Sequence, residues 1–244
     1  TTSNPKDLSE DLMQCFRDIP ILCPQFHLPV QAGSDAVLKR MNRKYTVKQY
    51  LHLVEQLRAH CEDIAITTDI IVGFPGETEE DFQATMDLAT VAQFSAAYTY
   101  KYSIRPGTPA GEMTNQVSEE VVGERYTRLH EHQQKISLSV NQEAIGTQHR
   151  ILVTEVEGRR DAVQSRLTGR SEDFRLVHFD NTSLARPGDF VDVEITDASA
   201  HYLISRELSH IKTRGGDAHA RRSEESTPTP GVMLGIPSFT KAKV

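Results

Sequence analysis

The run Ile64 to Val72 is apolar and mostly β-branched, and it is followed at once by Gly73-Phe74-Pro75-Gly76-Glu77. The first part reads as a buried strand and the second as a tight turn. Thr78 then stands as the N-cap of a helix, with Asp81 three residues on and Glu79 and Glu80 in the first turn, where the helix dipole favours acids. Two glycines permit positive φ and a close approach of backbone to a ligand. In a parallel α/β sheet such a turn lies at the carboxyl end of a strand, where ligands bind. The same residues also suit an ordinary βα loop that needs glycine for geometry alone.

The flanking sequence repeats the strand–helix alternation. Leu8, Leu12, Cys15, Phe16 and Ile19 have helical spacing over residues 7–18, and Pro20 and Pro24 end that helix. Residues 26–31 read as a short strand. Ala32-Gly33-Ser34 is a turn, and Ser34 caps a short helix to Met41. Thr46 caps the next helix, whose stripe is Val47, Tyr50, Leu51, Val54, Leu57 and Cys61. The helix over 78–93 turns Phe82, Met86 and Ala89 inward. A strand over 96–104 follows, closed by Arg105-Pro106-Gly107-Thr108-Pro109. Alternation without hairpins implies α/β architecture, a parallel sheet covered by helices. Three strands are too few to close a barrel, and a complete parallel (β/α) barrel would need more strands upstream of Thr1. A long helix from Ser118 to about Ala144, stopped by Gly146, leads out of it. Its expected buried stripe is Val121, Val122, Tyr126, Leu129, Gln133 and Ile136.

After Gly146 the period changes. Short alternating runs at 148–156, 164–170, 176–179, 190–195 and 202–204, with turns at Gly158, Glu172-Asp173 and Pro187-Gly188, suggest a small antiparallel barrel. The expected units are therefore residues 1–145, residues 147–209 and a tail, 213–244. The tail is polar to Pro230 and is expected to be disordered there, with Val232 to Phe239 regaining apolar character and available to dock back.

Net charge is −7, distributed as 13 Lys and Arg against 19 Asp and Glu over residues 1–140, and 14 against 15 beyond. Neither half is basic, so nucleic-acid contact requires a local patch. No apolar run is long enough to span a bilayer, and no signal peptide is present, which points to a cytoplasmic chain. The start at Thr1, without Met, suggests a fragment or processed product. Cys15, Cys23 and Cys61 are three, irregularly spaced, and suit free thiols in a reducing compartment.

Three motifs carry a resemblance. His27-Leu28-Pro29-Val30-Gln31-Ala32-Gly33-Ser34, Thr68 through Thr78, and Tyr102-Ser103-Ile104-Arg105-Pro106-Gly107-Thr108-Pro109-Ala110 resemble the methylthiotransferase family of radical S-adenosylmethionine enzymes. Residues 147–209 resemble its TRAM domain, an OB-like RNA-binding barrel. The tail at Gly231–Pro237 and Leu176-Val177-His178-Phe179 are similar to the branch that modifies dimethylallyladenosine in tRNA. The resemblance implies S-adenosylmethionine and two [4Fe–4S] clusters in a complete enzyme, and an anticodon stem-loop as partner. It also implies the reaction: a cofactor-derived radical takes hydrogen from C2 of the adenine, and a methylthio group is installed there. Other branches act on threonylcarbamoyladenosine or a ribosomal protein, and a truncated RNA-binding module without catalysis is a further alternative. The family's CxxxCxxC is missing, because Cys15 and Cys23 are eight apart and Cys61 lies 38 further on. This chain is therefore expected to hold no cluster.

The candidate cofactor residues are Gln31, Ser34, Asp69, Gly73, Gly76 and Arg105. Gln31 and Ser34 follow a strand toward the active end, although Ser34 is equally a turn cap. Asp69 is an acid within a strand, costly without a partner, and a polar cofactor or a cation can be that partner. Gly73 and Gly76 admit adenine or ribose, and Glu77 alternatively stabilises the helix start. Arg105 suits a carboxylate or a phosphate. Lys101 and Tyr102 alternate, so only one faces the barrel interior, and His27 is expected in the core. The candidate RNA residues are Arg150, Arg166, Arg170 and Arg175, joined by Arg159 and Arg160. Phe174, His178 and Phe179 lie nearby for stacking, with Phe179 expected to fill the barrel core. Arg221-Arg222 is a weak basic dipeptide.

Overall fold

A computed structural model of the chain describes residues 4–154, 166–180 and 185–211. Gly158, Arg159, Arg160, Arg221, Arg222 and the whole tail lie outside the described residues. In the first unit, helices α1 (Glu10–Asp18), α2 (Asp35–Arg40), α3 (Val47–His60), α4 (Glu79–Ala92), α5 (Pro109–Glu112) and α6 (Glu119–Gln142) accompany strands β1 (Gln25–His27), β2 (Ala65–Val72) and β3 (Ala96–Lys101). The strands form one parallel sheet in the order β1-β2-β3. This is the three-stranded parallel sheet that the alternation implies.

Local chemistry sets the element ends. Thr46 and Thr78 each close a full capping box, with Gln49 and Asp81 at the third helical position. Ser9, not Asp7, starts α1, because its hydroxyl takes the Leu12 N–H, and residues 5–7 form a separate 3₁₀ turn. The strand expected over 26–31 ends at His27. Beyond it, Pro29 brings no N–H, Val30 N donates to the Thr68 hydroxyl (2.9 Å), and Gln31 sits at φ 76°. Gln31 still joins β2 through a single bridge to Ile70. β3 ends at Lys101 rather than Ile104, which lies exposed, and α5 is a one-turn helix capped by Thr108.

β2 alternates strictly. Ile66, Thr68, Ile70 and Val72 are buried against the helices, while Ala65, Thr67, Asp69 and Ile71 face the other side. That second face is half-open: its neighbours Tyr98 and Tyr100 on β3 are 55% and 51% exposed. Leu28, Val30, Tyr50, Leu57, Phe82, Phe94 and Leu129 fill the core on the helix side. Within α6, Val122, Leu129, Gln133 and Ile136 are buried as expected, but Val121 and Tyr126 are only half-buried and Arg125 takes a core position.

The second unit is a closed barrel of β4 (Gln148–Val153), β5 (Arg166–Ser171), β6 (Leu176–Asp180), β7 (Phe190–Ala198) and β8 (Leu203–Ile211), in the order β4-β5-β6-β8-β7. Four seams are antiparallel, but β6 and β8 pair in parallel, so the barrel is not wholly antiparallel. β8 is also much longer than the three residues expected, since it edges both β6 and β7. Ile151, Val153, Val177, Phe179, Val191, Val193 and Leu203 fill the interior.

Candidate functional site

The carboxyl end of the sheet gathers most of the singled-out residues. Gly73 and Gly76 both have positive φ, 77° and 76°. A Cβ on Gly73 would lie 2.3 Å from Val122 Cγ2, and one on Gly76 2.3 Å from Asn115 Nδ2. The protein itself therefore occupies the space that these glycines leave on that side. Gly76 N also donates to the Asn115 carbonyl at 2.8 Å.

Glu77 is a buried clasp. Its Oε1 accepts from Gly73 N (3.0 Å) and from Arg125 Nη1 (2.8 Å), with both side chains under 7% exposed. Burial pushes its carboxyl above the ordinary range, against the pull of the Gly73 N–H and Arg125. Arg125 Nε reaches Glu79 at 3.3 Å, and Arg128 joins the same carboxylate at 2.8 Å.

Ser34 and Gln31 are both buried. The Ser34 hydroxyl caps α2 and donates to Asp81 Oδ1. Asp81 Oδ2 accepts from Thr78 N and from Arg40 Nη2, each at 3.1 Å. Burial raises the Asp81 pKa, yet the bonds from Ser34, Thr78 and Arg40 outweigh it and leave it lowered. Gln31 Oε1 accepts from Arg43 Nη2 at 3.0 Å. Three donors in this region are buried without a hydrogen-bond partner among the described residues: Arg40 Nε, Arg43 Nε and Tyr102 Oη. Arg40 also holds the Gly76 carbonyl, and the Tyr102 ring meets Phe74 of the turn edge-on at 5.2 Å. Arg105 is exposed.

Asp69 lies on the half-open face, its side chain 27% exposed and 3.6 Å from His27 Nε2. His27 Nδ1 meets the Thr67 hydroxyl at 2.9 Å, which also accepts from Gln25 Nε2 at 3.3 Å. His27 is therefore on the open face rather than in the core. Lys101 points the other way, over the Tyr126 ring of α6.

On the barrel, the candidate arginines carry internal partners. Arg150 pairs with Asp192 (2.8 Å), Arg166 with Asp180 (3.5 Å) and Arg175 with Asp173 (Nε at 2.6 Å), while Arg170 donates to the Phe174 carbonyl. Burial works against ionised Asp173, but Arg175 and Ser171 hold its pKa low. Phe174 is exposed at φ 67°, His178 is half-buried and Phe179 is in the core. A continuous, unneutralised basic groove is not formed by these four arginines.

Sequence reading passed over Arg40, Arg43 and Arg125, because an arginine within a helix stripe or after a helix end carries no signal that it turns inward. The capping box did mark Asp81, though only as a cap. Cys15 donates to the Asp11 carbonyl, Cys23 is exposed and Cys61 ends α3. Among the described residues no group of three or more His, Cys, Asp or Glu could hold a metal ion. No helix among them is long and apolar enough to cross a membrane.

Residues 1–89 match the family model of the Radical SAM superfamily, and residues 142–208 match that of the TRAM domain. The tRNA-2-methylthio-N(6)-dimethylallyladenosine synthase of Nocardia farcinica is 49% identical over 242 residues, 97% of this chain and 48% of that protein. The protein of the same name from Mycolicibacterium vanbaalenii is 46% identical, over 98% of this chain and 47% of its own length. The Corynebacterium urealyticum protein is 45% identical, over 98% and 45%. The chain spans about half the length of the curated relatives it matches.

Proposed function

The chain belongs to the radical SAM methylthiotransferase family, and from that premise we propose that it supplies the cofactor-facing sheet and the RNA-binding barrel of a cytoplasmic tRNA methylthiotransferase. The substrate is dimethylallyladenosine beside the anticodon, and the partner is the anticodon stem-loop. The observation that carries the reading is the set of orphaned donors at the carboxyl end of the sheet. Arg40 Nε, Arg43 Nε and Tyr102 Oη are buried there with no hydrogen-bond partner among the described residues, which is costly unless a ligand with acceptor oxygens or nitrogens completes them.

S-adenosylmethionine fits that chemistry, and when bound it supplies the radical that opens the adenine C2–H bond. Arg43, with Gln31, and Arg105 would hold its carboxylate. Asp69, oriented by His27, would accept from its ribose hydroxyls or ammonium. Gly73 and Gly76 shape the turn against which its adenine would rest. Ser34 acts through Asp81 and Arg40 to fix that turn. The three cysteines do not fit a cluster, so both [4Fe–4S] clusters of the complete enzyme take their ligands from outside this chain, and no step is derived through them. On the barrel, Arg150, Arg166, Arg170 and Arg175 would exchange their internal partners for phosphates.

Two variants of the complete enzyme test the cofactor site. Asp69→Asn removes one charge-assisted bond, about 1.5–3 kcal/mol, and should weaken S-adenosylmethionine binding about tenfold or more with tRNA affinity intact. Tyr102→Phe removes an orphaned hydroxyl. It should leave thermal stability equal or higher while weakening cofactor binding. Unchanged cofactor affinity in both variants, measured by equilibrium dialysis, removes this end of the sheet from the site.

A further inference from the structure

One surface feature joins the two units and has no part in either site. Lys101, the last residue of β3, holds its ammonium 5.2 Å over the Tyr126 ring. Tyr126 lies parallel to His130, within 4° and 6.0 Å between centroids. Gln134 Nε2 donates to His130 Nε2 at 2.9 Å and also reaches His201 Nε2 at 3.4 Å. Tyr202, next in the chain, meets His178 of the barrel edge-on at 5.0 Å. Tyr126, His130 and Gln134 share one stripe of α6 because they are four residues apart, and they span about 12 Å of helix. His201 and Tyr202 sit in the β7–β8 turn, which Asn141 of α6 holds through the Ser199 carbonyl at 2.7 Å. The result is a line of planar groups from the carboxyl end of the sheet to the outer wall of the barrel.

We propose that this line is an RNA-docking track, on which unpaired bases stack on Tyr126 and His130 and a phosphate meets Lys101. The proposal rests on the tRNA reading and names where that RNA runs between the two units. Its chemistry differs from that of the barrel arginines. Arg150, Arg166 and Arg175 each have a carboxylate partner that a phosphate must displace. No member of the line is a carboxylate, and Lys101 has no carboxylate partner among the described residues. The Tyr126 ring already carries the Lys101 ammonium and lies against His130, so a base reaches it by displacing only a cation–π contact, and the released ammonium then supplies the phosphate contact, with no carboxylate to compete. An i, i+4 ring pair also steadies an isolated helix slightly, but that role requires neither Lys101 nor the continuation through His201 and Tyr202.

The test uses the full chain and a labelled RNA hairpin with an open loop, followed by fluorescence anisotropy across a salt series. Tyr126→Ala should weaken binding about tenfold with the salt slope unchanged, because a stacking contact carries no charge. Lys101→Met should weaken it and reduce the slope by about one. Tyr126→Phe keeps the ring and should bind as the parent does. His201→Ala, in a surface turn, should weaken binding without shifting the melting temperature. If the parent binds the hairpin, and Arg150→Ala weakens binding while Tyr126→Ala, His201→Ala and Lys101→Met do not, the track is wrong and the tRNA reading stands. A parent that binds no RNA overturns both.

Discussion

Gly73 is fixed by two independent constraints, its φ of 77° and the Val122 methyl 2.3 Å from where a Cβ would stand. A left-handed residue with a side chain costs about 1–2 kcal/mol and the overlap about 1–3 more, so Gly73→Ala should lower stability by about 2–5 kcal/mol. Val122→Ala removes both methyls that overlap and leaves the backbone term with a tight 3.1 Å contact to the Cβ that remains. In urea unfolding the double variant should therefore be less destabilised than the sum of the singles, whereas additivity would remove Val122 as the cause. Gly107, also at positive φ but with open space around it, should show only the backbone cost. Asp81 makes the matching electrostatic case. Its folded pKa is lowered, so its contribution is present above the ordinary aspartate range and is lost as pH falls through that range toward its folded value. Asp81→Asn should flatten that acid limb of the stability–pH curve, and a limb as steep as the parent's would assign it to other carboxylates. The sequence marked Gly73 and Asp81 as special, because turn and cap chemistry is local. It could not say that Val122 fills the space beside one, or that Ser34 and Arg40 converge on the other, since those neighbours come from residues more than 40 positions away.

At the scale of elements, α6 was the easiest helix to read and the hardest to read correctly. Its length, its Ser118 cap and most of its apolar stripe follow from period and capping. Arg125 escapes that logic, because a cation in a helix pattern is assigned to solvent unless its partner is known. The partner is Glu77, at the far side of the βα turn, and the pair clamps α6 onto the end of β2. Arg125→Met leaves Glu77 buried and alone and should cost about 3–5 kcal/mol. Adding Glu77→Gln should recover part of that loss, and a double variant no better than Arg125→Met would show that packing, not charge, holds the helix. β1 was overread for a related reason. Residues 28–31 alternate like a strand and keep backbone bonds to β2 at Leu28 N and at Gln31, but between them the side chains of Tyr50 and Thr68 take the Leu28 carbonyl and Thr68 takes the Val30 N–H, which interrupts the ladder. The parallel β6–β8 seam could not be read at all, because alternation gives a strand its faces and says nothing about its neighbour.

At the scale of the whole molecule, the chain buries two separate cores joined by α6, and the junction is polar: Asn141 to Ser199, and Gly146 N to the Ile195 carbonyl at 2.8 Å. The change of period at Gly146 placed that junction in the sequence. The closure of the barrel has a consequence for how it is made. β8 is its last strand in the chain, and it alone seals both β6 and β7. Until it emerges from the ribosome, two strand edges with open backbone donors and acceptors stand ready to capture the same edges on another nascent chain. A chain ended at residue 202 should therefore form sedimenting aggregates while its α/β unit retains its helical circular dichroism. A soluble monomer of that length would mean the other four strands can guard their own edges. Any sequence change that slows delivery of those nine final residues of the barrel should show itself as lost yield during synthesis, before it is visible in the stability of the finished protein.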